Sequence, residues 1–283
     1  MHWQTTRFRI DLSRPRVMGI VNVTPDAFSD VGHYASTRAA VAHCEKLIVD
    51  GAHILDIGGE SSRPGTPPVP LEEELARVLP VLREAVTLGV PVSVDTYKPE
   101  VMQEALALGA DIINDIWGMR QPGALDIIAG HGSCGICLMH MHGEPRTMHR
   151  SPMEGDAVPQ VHEFLRGATA PLRAAGVAAD RIAWDPGIGF GKTLAQNFAL
   201  LARQIELLAE GYPLLAGWSR KSSLGNVTGL PVNERLAPSI AAALLAVERG
   251  AHVVRVHDVK ETLAAIKVRQ AMLAVQNDGQ SPT

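Results

Sequence analysis

The chain has 283 residues, 46% of them hydrophobic and 20% charged, with a net charge of -4 and an isoelectric point near 6.3. That balance is ordinary for a soluble globular protein and supplies no basic field for nucleic acid or anionic lipid, so any anion site must be local. The opening residues lack the apolar core of a secretory signal, no apolar stretch is long enough to span a bilayer, and three cysteines in a chain this large fit a reducing cytoplasm better than a disulfide framework.

Residues 1–15 alternate weakly through Phe8, Ile10 and Leu12 and have no helical period, which predicts a short hairpin. Then come eight short apolar runs, each leading to a polar residue. Val17 to Val21 ends on Asn22, Ile54-Leu55 on Asp56, Val92 to Val94 on Asp95, and Ile112-Ile113 on Asn114 and Asp115. Ile136 to Met139 meets His140, Ile182 to Trp184 meets Asp185, Leu214 to Ala216 leads to Ser219-Arg220-Lys221, and Val253-Val254 precedes Arg255 and His257. A parallel strand covered by helices on both faces reads as such a continuous run.

Helical spacing fills the gaps at 39–50, 71–88, 99–108, 161–175, 194–209, 232–249 and 260–275, with the acidic turn Glu72-Glu73-Glu74 opening the second. Gly51, Gly89, Gly109, Gly176, Gly211 and Gly250 follow these segments, where a left-handed cap is expected. Repeated strand–helix–glycine units predict an α/β fold: a single (β/α)8 TIM barrel over 1–283, the 1–15 hairpin closing its bottom and 277–283 a polar tail. In such a barrel the polar residues at the carboxyl ends of the strands form the active-site rim.

The segments that follow the strands carry the chemistry. Residues 22–30 and the Gly/Pro-rich stretch 58–68 with Arg63 at its centre read as loops able to fold over a ligand. Asp185 to Thr193 lacks the GxxxxGK[ST] spacing of a P-loop and reads instead as a buried carboxylate followed by glycines that admit a flat ligand to the backbone. Ser219-Arg220-Lys221-Ser222 and Arg255-Val256-His257-Asp258 belong to the seventh and eighth strands, where barrels most often bind phosphate. Two Arg, a Lys and a His converging there match a diphosphate, and Arg255 and His257, two apart, can both face it. Cys134, Cys137, His140 and His142 have a zinc-like spacing, yet the cysteines read as small buried hydrophobes and Cys137 and His140, three apart, as pointing to opposite faces of a strand.

Together the segments MGIVNVTPDAFSD, LDIGGESSRPG, VDTYKPEV, DIINDI, LMHMHGEPRTM, DPGIGFGKT, GWSRKS and RVHD closely resemble the dihydropteroate synthase family, in order, from about Val17 to Asp258. The resemblance implies a Mg2+-dependent transfer of a dihydropterin-methyl group from its diphosphate to 4-aminobenzoate. It implies that Asn22 contacts Mg2+ and that Ser62, Asp95, Asn114, Asp185, Lys221, Arg255 and His257 contact the pterin diphosphate. Phe28, Arg63, Pro64, Phe190, Arg220 and Ser222 match the family's aminobenzoate region, and a homodimer through the late helices is implied as well. Three positions depart from the usual pattern: Ala27 in place of Ser, Val31 in place of Gly, and Ser62, which keeps the hydroxyl of the usual Thr.

These residue types suit that chemistry. Asp185 and Asp95 can accept parallel N–H donors from a pterin edge, Asn114 can donate and accept, and Lys221 can donate to the ring. Arg63, Arg255, His257 and Mg2+ would stabilise a departing diphosphate electrostatically, with no protein nucleophile. The competing readings are a pterin-binding methyltransferase domain, which has no need of the SRK and RxH cations, and a catalytically silent pterin-binding module, which has no need to keep the whole set.

Overall fold

The computed structural model describes residues 1–24, 33–61, 65–148 and 150–278. Phe28, Ser62, Arg63 and Pro64, and the departures at Ala27 and Val31, lie outside them.

Eight parallel strands form the barrel: β3 (Arg16–Asn22), β4 (Ile54–Gly58), β5 (Val92–Asp95), β6 (Ile112–Asp115), β7 (Gly135–Met139), β8 (Ile182–Asp185), β9 (Leu215–Ala216) and β10 (Val253–Val256), in the spatial order β8-β7-β6-β5-β4-β3-β10-β9. A parallel bridge between Trp184 and Leu214 joins β8 to β9 and closes the ring. The helices are α1 (His33–Val49), α2 (Leu71–Ala85), α3 (Pro99–Ala107), α4 (Ala124–Gly130), α5 (Ala157–Ala174), α6 (Leu194–Ala202), α7 (Ser222–Thr228), α8 (Leu236–Glu248) and α9 (Val259–Asp278). The six expected capping glycines all take left-handed backbone, with φ from 78° to 99°, a region that costs a residue with a Cβ roughly 1–2 kcal/mol.

Several boundaries differ from the sequence reading. Helices α4 and α7 fall where no helix is expected, because both are short and α7 (SSLGNVT) is held by its packing between α6 and α8 rather than by propensity. The 194–209 segment breaks after Ala202 into a 3-10 turn, Gln204–Leu208, and 232–249 opens with another, Val232–Glu234, before α8 starts. Helix α5 starts earlier than its apolar period suggests, because the Asp156 side chain caps it by accepting from the Val158 N–H at 3.1 Å. Helix α9 runs on to Asp278, past the start of the expected polar tail. Strand β7 stops at Met139, so the alternation argument does not reach His140, whose buried ring meets Phe164 edge-on at 4.9 Å.

The predicted hairpin is β1 (His2–Gln4) paired antiparallel with β2 (Arg9–Asp11). It plugs the amino-terminal end of the barrel: Trp3, Ile10 and Leu12 pack on the lowest lumen layer of Met18, Ile54, Ile112, Cys137, Ala183, Leu215 and Val253. The Trp3 indole donates to the Arg181 carbonyl at 3.0 Å. Arg7 clamps the buried Asp111 carboxylate through Nε at 3.1 Å and Nη2 at 2.6 Å, and Asp111 also accepts the Val92 N–H at 2.9 Å. A buried carboxylate satisfied on this many sides ties the hairpin to β5 and β6 without leaving a charge unpaired.

Three half-buried histidines near the same end each accept a backbone N–H on Nδ1: His53 from Val17 at 3.0 Å, His131 from Cys134 at 3.0 Å and His252 from Leu214 at 3.1 Å. Burial lowers all three pKa values below the ordinary histidine range, and an acceptor nitrogen cannot carry a proton as well. The unfolded chain therefore binds more protons as pH falls below about 6.5, and the stability these histidines contribute is lost there. Replacing His53 and His252 together with Asn, which keeps an acceptor that does not titrate, is expected to flatten the drop in urea midpoint between pH 7.5 and 5.5. An unchanged slope would refute this assignment.

Candidate active site

Side chains on a strand alternate, so the residue two beyond each member of the lowest lumen layer must also face the lumen. That step takes Ile54 to Asp56, Ile112 to Asn114, Cys137 to Met139, Ala183 to Asp185 and Val253 to Arg255. An apolar floor thus carries a polar layer, and one further step up lie Asn22 and His257. The opposite parity faces the helices: Val17, Leu55, Val94, Ile113, Leu138 and Val254 belong to the outer core.

The polar layer is organised around Arg255. Its Nε donates to Asp56 Oδ2 at 2.6 Å and its Nη2 to Asp95 Oδ2 at 2.8 Å. Asn114 Nδ2 donates to the same Asp56 oxygen at 3.2 Å. Asp56 is fully buried, and sequence reading noticed it only as a strand end, giving it no role. Burial opposes the charge on Arg255, but Asp56 and Asp95 outweigh it and raise its pKa. Burial raises the Asp95 carboxyl to about 7, with Arg255 opposing and Asp56 adding to the rise.

The far wall is formed by β8 and the turn after it. Asp185 Oδ1 accepts the Gly187 N–H at 2.7 Å, which fixes the carboxylate, and burial raises its pKa while that hydrogen bond and Lys221 work the other way. The turn packs so closely on the segment after β7 that a Cβ on Gly187 would lie 1.9 Å from the His140 carbonyl oxygen. Buried Lys192 donates from Nζ to the carbonyls of Gly187 at 2.8 Å and Phe190 at 3.1 Å, and burial drives its pKa well below the usual lysine value. The Lys221 ammonium sits 4.3 Å from the centre of the Phe190 ring, and burial lowers its pKa to about 8 against the pull of Asp185. Ser219 Oγ lies 2.9 Å from His257 Nδ1.

The expected residues Asn22, Asp95, Asn114, Asp185, Lys221, Arg255, His257 and Phe190 therefore gather at one end of the barrel. Ser222 joins them at the start of α7. Arg220 stands apart: in left-handed backbone (φ 57°), its guanidinium pairs with Asp258 at 2.7 Å on the exposed side. Asp115 faces away from the lumen and accepts the Trp117 and Met119 N–H groups, each at 2.7 Å, shaping the turn after β6; burial raises its pKa to about 6. Lys192 and Asp115 do structural work for the site that no spacing rule reveals, since their partners are backbone groups.

A parallel barrel whose mouth gathers three carboxylates, an amide, an arginine and a lysine at the carboxyl ends of its strands has the arrangement of a barrel enzyme's active site. The chain matches the sequence family described as pterin binding enzyme over residues 18–257 and belongs to it. Within that family its relatives are dihydropteroate synthases. It is 51% identical over 276 residues to that of Neisseria meningitidis serogroup B, covering 95% of this chain and 97% of the relative, and 47% identical over 270 residues to that of Escherichia coli K12, covering 95% of each. Among solved structures, the Burkholderia cenocepacia dihydropteroate synthase complexed with 7,8-dihydropteroate superposes with a TM-score of 0.90 at 50% identity, covering 98% of both chains. The Xanthomonas albilineans dihydropteroate synthase with 4-aminobenzoic acid does so with a TM-score of 0.91 at 48% identity, covering 97% of this chain and 99% of that one.

Arg255 has two buried carboxylates as partners, so its removal strands both. Arg255→Ala is expected to weaken binding of a bare pterin, with no phosphate attached, and to lower stability by about 3–5 kcal/mol, the usual cost of breaking a buried ion pair from one side. Titration calorimetry and urea unfolding check the two halves. Retained affinity for the bare pterin would confine Arg255 to other ligand groups.

Proposed function

We propose that this chain catalyses the dihydropteroate synthase reaction, joining a dihydropterin-methyl group from its diphosphate to the amine of 4-aminobenzoate. The observation that carries the reading is the inward-facing set Asp56, Asp95, Asn114, Asp185 and Arg255 beneath Lys221, on a chain about half identical to dihydropteroate synthases along nearly its whole length.

Asp185, held by the Gly187 N–H, accepts the paired donors of the pterin's amino edge, and charged hydrogen bonds of this kind contribute about 1.5–3 kcal/mol each. Asn114 and Asp95 read the remaining polar edge, and Lys221 donates to the ring from above Phe190. The methylene carbon–oxygen bond breaks with both electrons leaving on the diphosphate, and the ring nitrogens share the positive charge left on carbon. The 4-aminobenzoate nitrogen then bonds to that carbon and gives up a proton. Negative charge gathers on the leaving diphosphate, where Arg255, His257 and Arg63 act. Phe190 and Ser222 form the walls for 4-aminobenzoate; the resemblance adds Phe28 and Pro64 to that region and Ser62 to the contacts of the pterin diphosphate.

Asn22 ends β3 half-exposed at the lumen mouth, and its register partner Gly58 adds no side chain there. Among the described residues no three acidic, His or Cys side chains cluster as a metal cage. One carboxamide oxygen beside a substrate diphosphate fits Mg2+, an ion that keeps water and phosphate ligands and needs few from protein. When bound, Mg2+ supplies charge neutralisation for the leaving diphosphate.

The chain also forms a homodimer through its late helices. On α9, Val268, Met272 and Val275 lie on one face at helical spacing and are 73%, 49% and 72% exposed, and Leu245 on α8 is 44% exposed. Such a stripe at the surface of a soluble enzyme fits a subunit contact. Among the described residues no helix is long and apolar enough to cross a membrane.

Incubation with the dihydropterin-methyl diphosphate, 4-aminobenzoate and Mg2+ is expected to release diphosphate and dihydropteroate in equal amounts, and EDTA to suppress both. Hydrolysis of the diphosphate with no coupled product would overturn the reading. For the assembly, light scattering is expected to give twice the 30.3 kDa chain mass, and Val268→Glu with Met272→Glu to halve it. A monomeric unaltered protein would remove the dimer.

A further inference from the structure

Two segments carry the walls assigned above to 4-aminobenzoate. One is the glycine turn after β8 that presents Phe190, and the other is the start of α7 with Lys221 and Ser222. A cavity of about 200 Å3 lies between them, lined by Gly189, Thr193, Asn197, Ser222, Ser223 and Asn226 among others. Neither segment is rigid by itself. The turn has three glycines in left-handed backbone, Gly187, Gly189 and Gly191, and α7 is a single short helix of low propensity.

One side chain reaches both. Asn197, on the second turn of α6, is 2% exposed. Its Oδ1 accepts the Gly189 N–H at 2.7 Å, one residue before Phe190. Its Nδ2 faces Ser223 Oγ at 3.2 Å, one residue after Ser222, and the Thr193 carbonyl at 2.9 Å. Helix α6 itself is anchored by a capping box, in which Thr193 Oγ1 accepts the Gln196 N–H and the Gln196 side chain accepts the Thr193 N–H. The amide therefore projects from a fixed element, and both of its ends are used.

We propose that Asn197 is a positioning residue for the second substrate: its carboxamide ties the Phe190 turn to the Ser222 end of α7 and so sets the width of the slot that takes 4-aminobenzoate. This rests on the assignment of Phe190 and Ser222 made above. Among the described residues the two segments also meet where the Lys221 ammonium lies over the Phe190 ring at 4.3 Å, a side-chain contact that leaves the backbone spacing to Asn197, while Lys192 binds the turn to the segment after β7. Of the pterin-facing residues, Asp95, Asn114 and Arg255 stand on other strands and Asp185 is fixed by the Gly187 N–H at the start of the turn; Lys221 alone adjoins α7, and its ring contact with Phe190 does not pass through Asn197. The loss of Asn197 should therefore fall on one substrate.

The test uses Asn197→Leu, which keeps the volume and removes the hydrogen bonds, and Asn197→Asp, which can still accept from both Gly189 N–H and the Ser223 hydroxyl. Asn197→Leu is expected to raise KM for 4-aminobenzoate about tenfold or more, the scale that small misplacements in a site produce. Its calorimetric affinity for the pterin diphosphate should change less than about twofold by the same reasoning. Asn197→Asp, which keeps the Gly189 and Ser223 contacts but sets an oxygen against the Thr193 carbonyl, is expected to restore part of the KM, which a simple loss of fold stability would not do. Ser223→Ala, which cuts only the tie to α7, should give an intermediate KM and serves as the second arm if Asn197→Leu does not fold. Equal losses for both substrates, or an unchanged KM beside a lowered Tm, would overturn the proposal. Phe190→Ala and Ser222→Ala separate the two failures: if they raise KM for 4-aminobenzoate while the Asn197 and Ser223 variants do not, the walls stand and the positioning role falls, and if they do not raise it the walls themselves are misassigned.

Discussion

Three carboxylates, Asp56, Asp95 and Asp185, enter the lumen of one narrow barrel, where charges are poorly solvated and like charges repel strongly. The layer holds together because the Arg255 guanidinium bridges two of them through separate nitrogens. A lysine at that position would offer a single point of charge, whereas the planar fork meets Asp56 on β4 and Asp95 on β5 at once. Asn114 then takes its orientation from Asp56. Lys221, with Arg255 and Lys192 adding to it, favours the charged form of Asp185 against burial. The pocket is an electrostatic frame whose members fix one another, and a donor-rich heterocycle enters it as one more partner.

The frame exists because the barrel divides its lumen into layers. The apolar floor of Met18, Ile54, Ile112, Cys137, Ala183, Leu215 and Val253 seals the lower end with Trp3 of the hairpin. Two residues further along the same strands the environment turns polar. The floor excludes water from beneath, so the carboxylates above it are desolvated on that side, and this raises Asp95 and Asp185 together. The hairpin, far from the substrates, thereby contributes to the charge state of the site through the plug it provides.

Much of this was legible in the sequence. Eight apolar runs ending in polar residues gave the barrel and its rim, because parity along a strand needs only the residue spacing. The capping glycines marked every expected turn, since left-handed backbone selects glycine on local grounds. Asp56 escaped assignment because its meaning depends on Arg255, 199 positions away in the chain, and no local pattern records such a pair. Helix α7 escaped because its residues are poor helix formers that fold against α6 and α8. Lys192 had no role in the sequence reading, which set the P-loop spacing aside; it bonds backbone carbonyls, and no side-chain pattern records partners of that kind. Arg220 matched an aminobenzoate position, but left-handed backbone turns its guanidinium out to Asp258.

The two halves of the site rest on different kinds of support. The pterin half is built on strands, with carboxylates and a guanidinium joined across β4, β5, β6 and β10 by charged hydrogen bonds. The second half is built on a glycine turn and a short helix, joined by the neutral amide of Asn197, with Lys192 holding the turn to the segment after β7 through carbonyls. Charged pairs across neighbouring strands keep their geometry with or without a ligand, while neutral bonds between loops hold a shape that a modest free energy can alter. An enzyme that holds a charged diphosphate in one half and a small aromatic amine in the other can be rigid around the first and adjustable around the second. The division follows from which secondary structures carry the residues, and the barrel supplies both kinds at one rim.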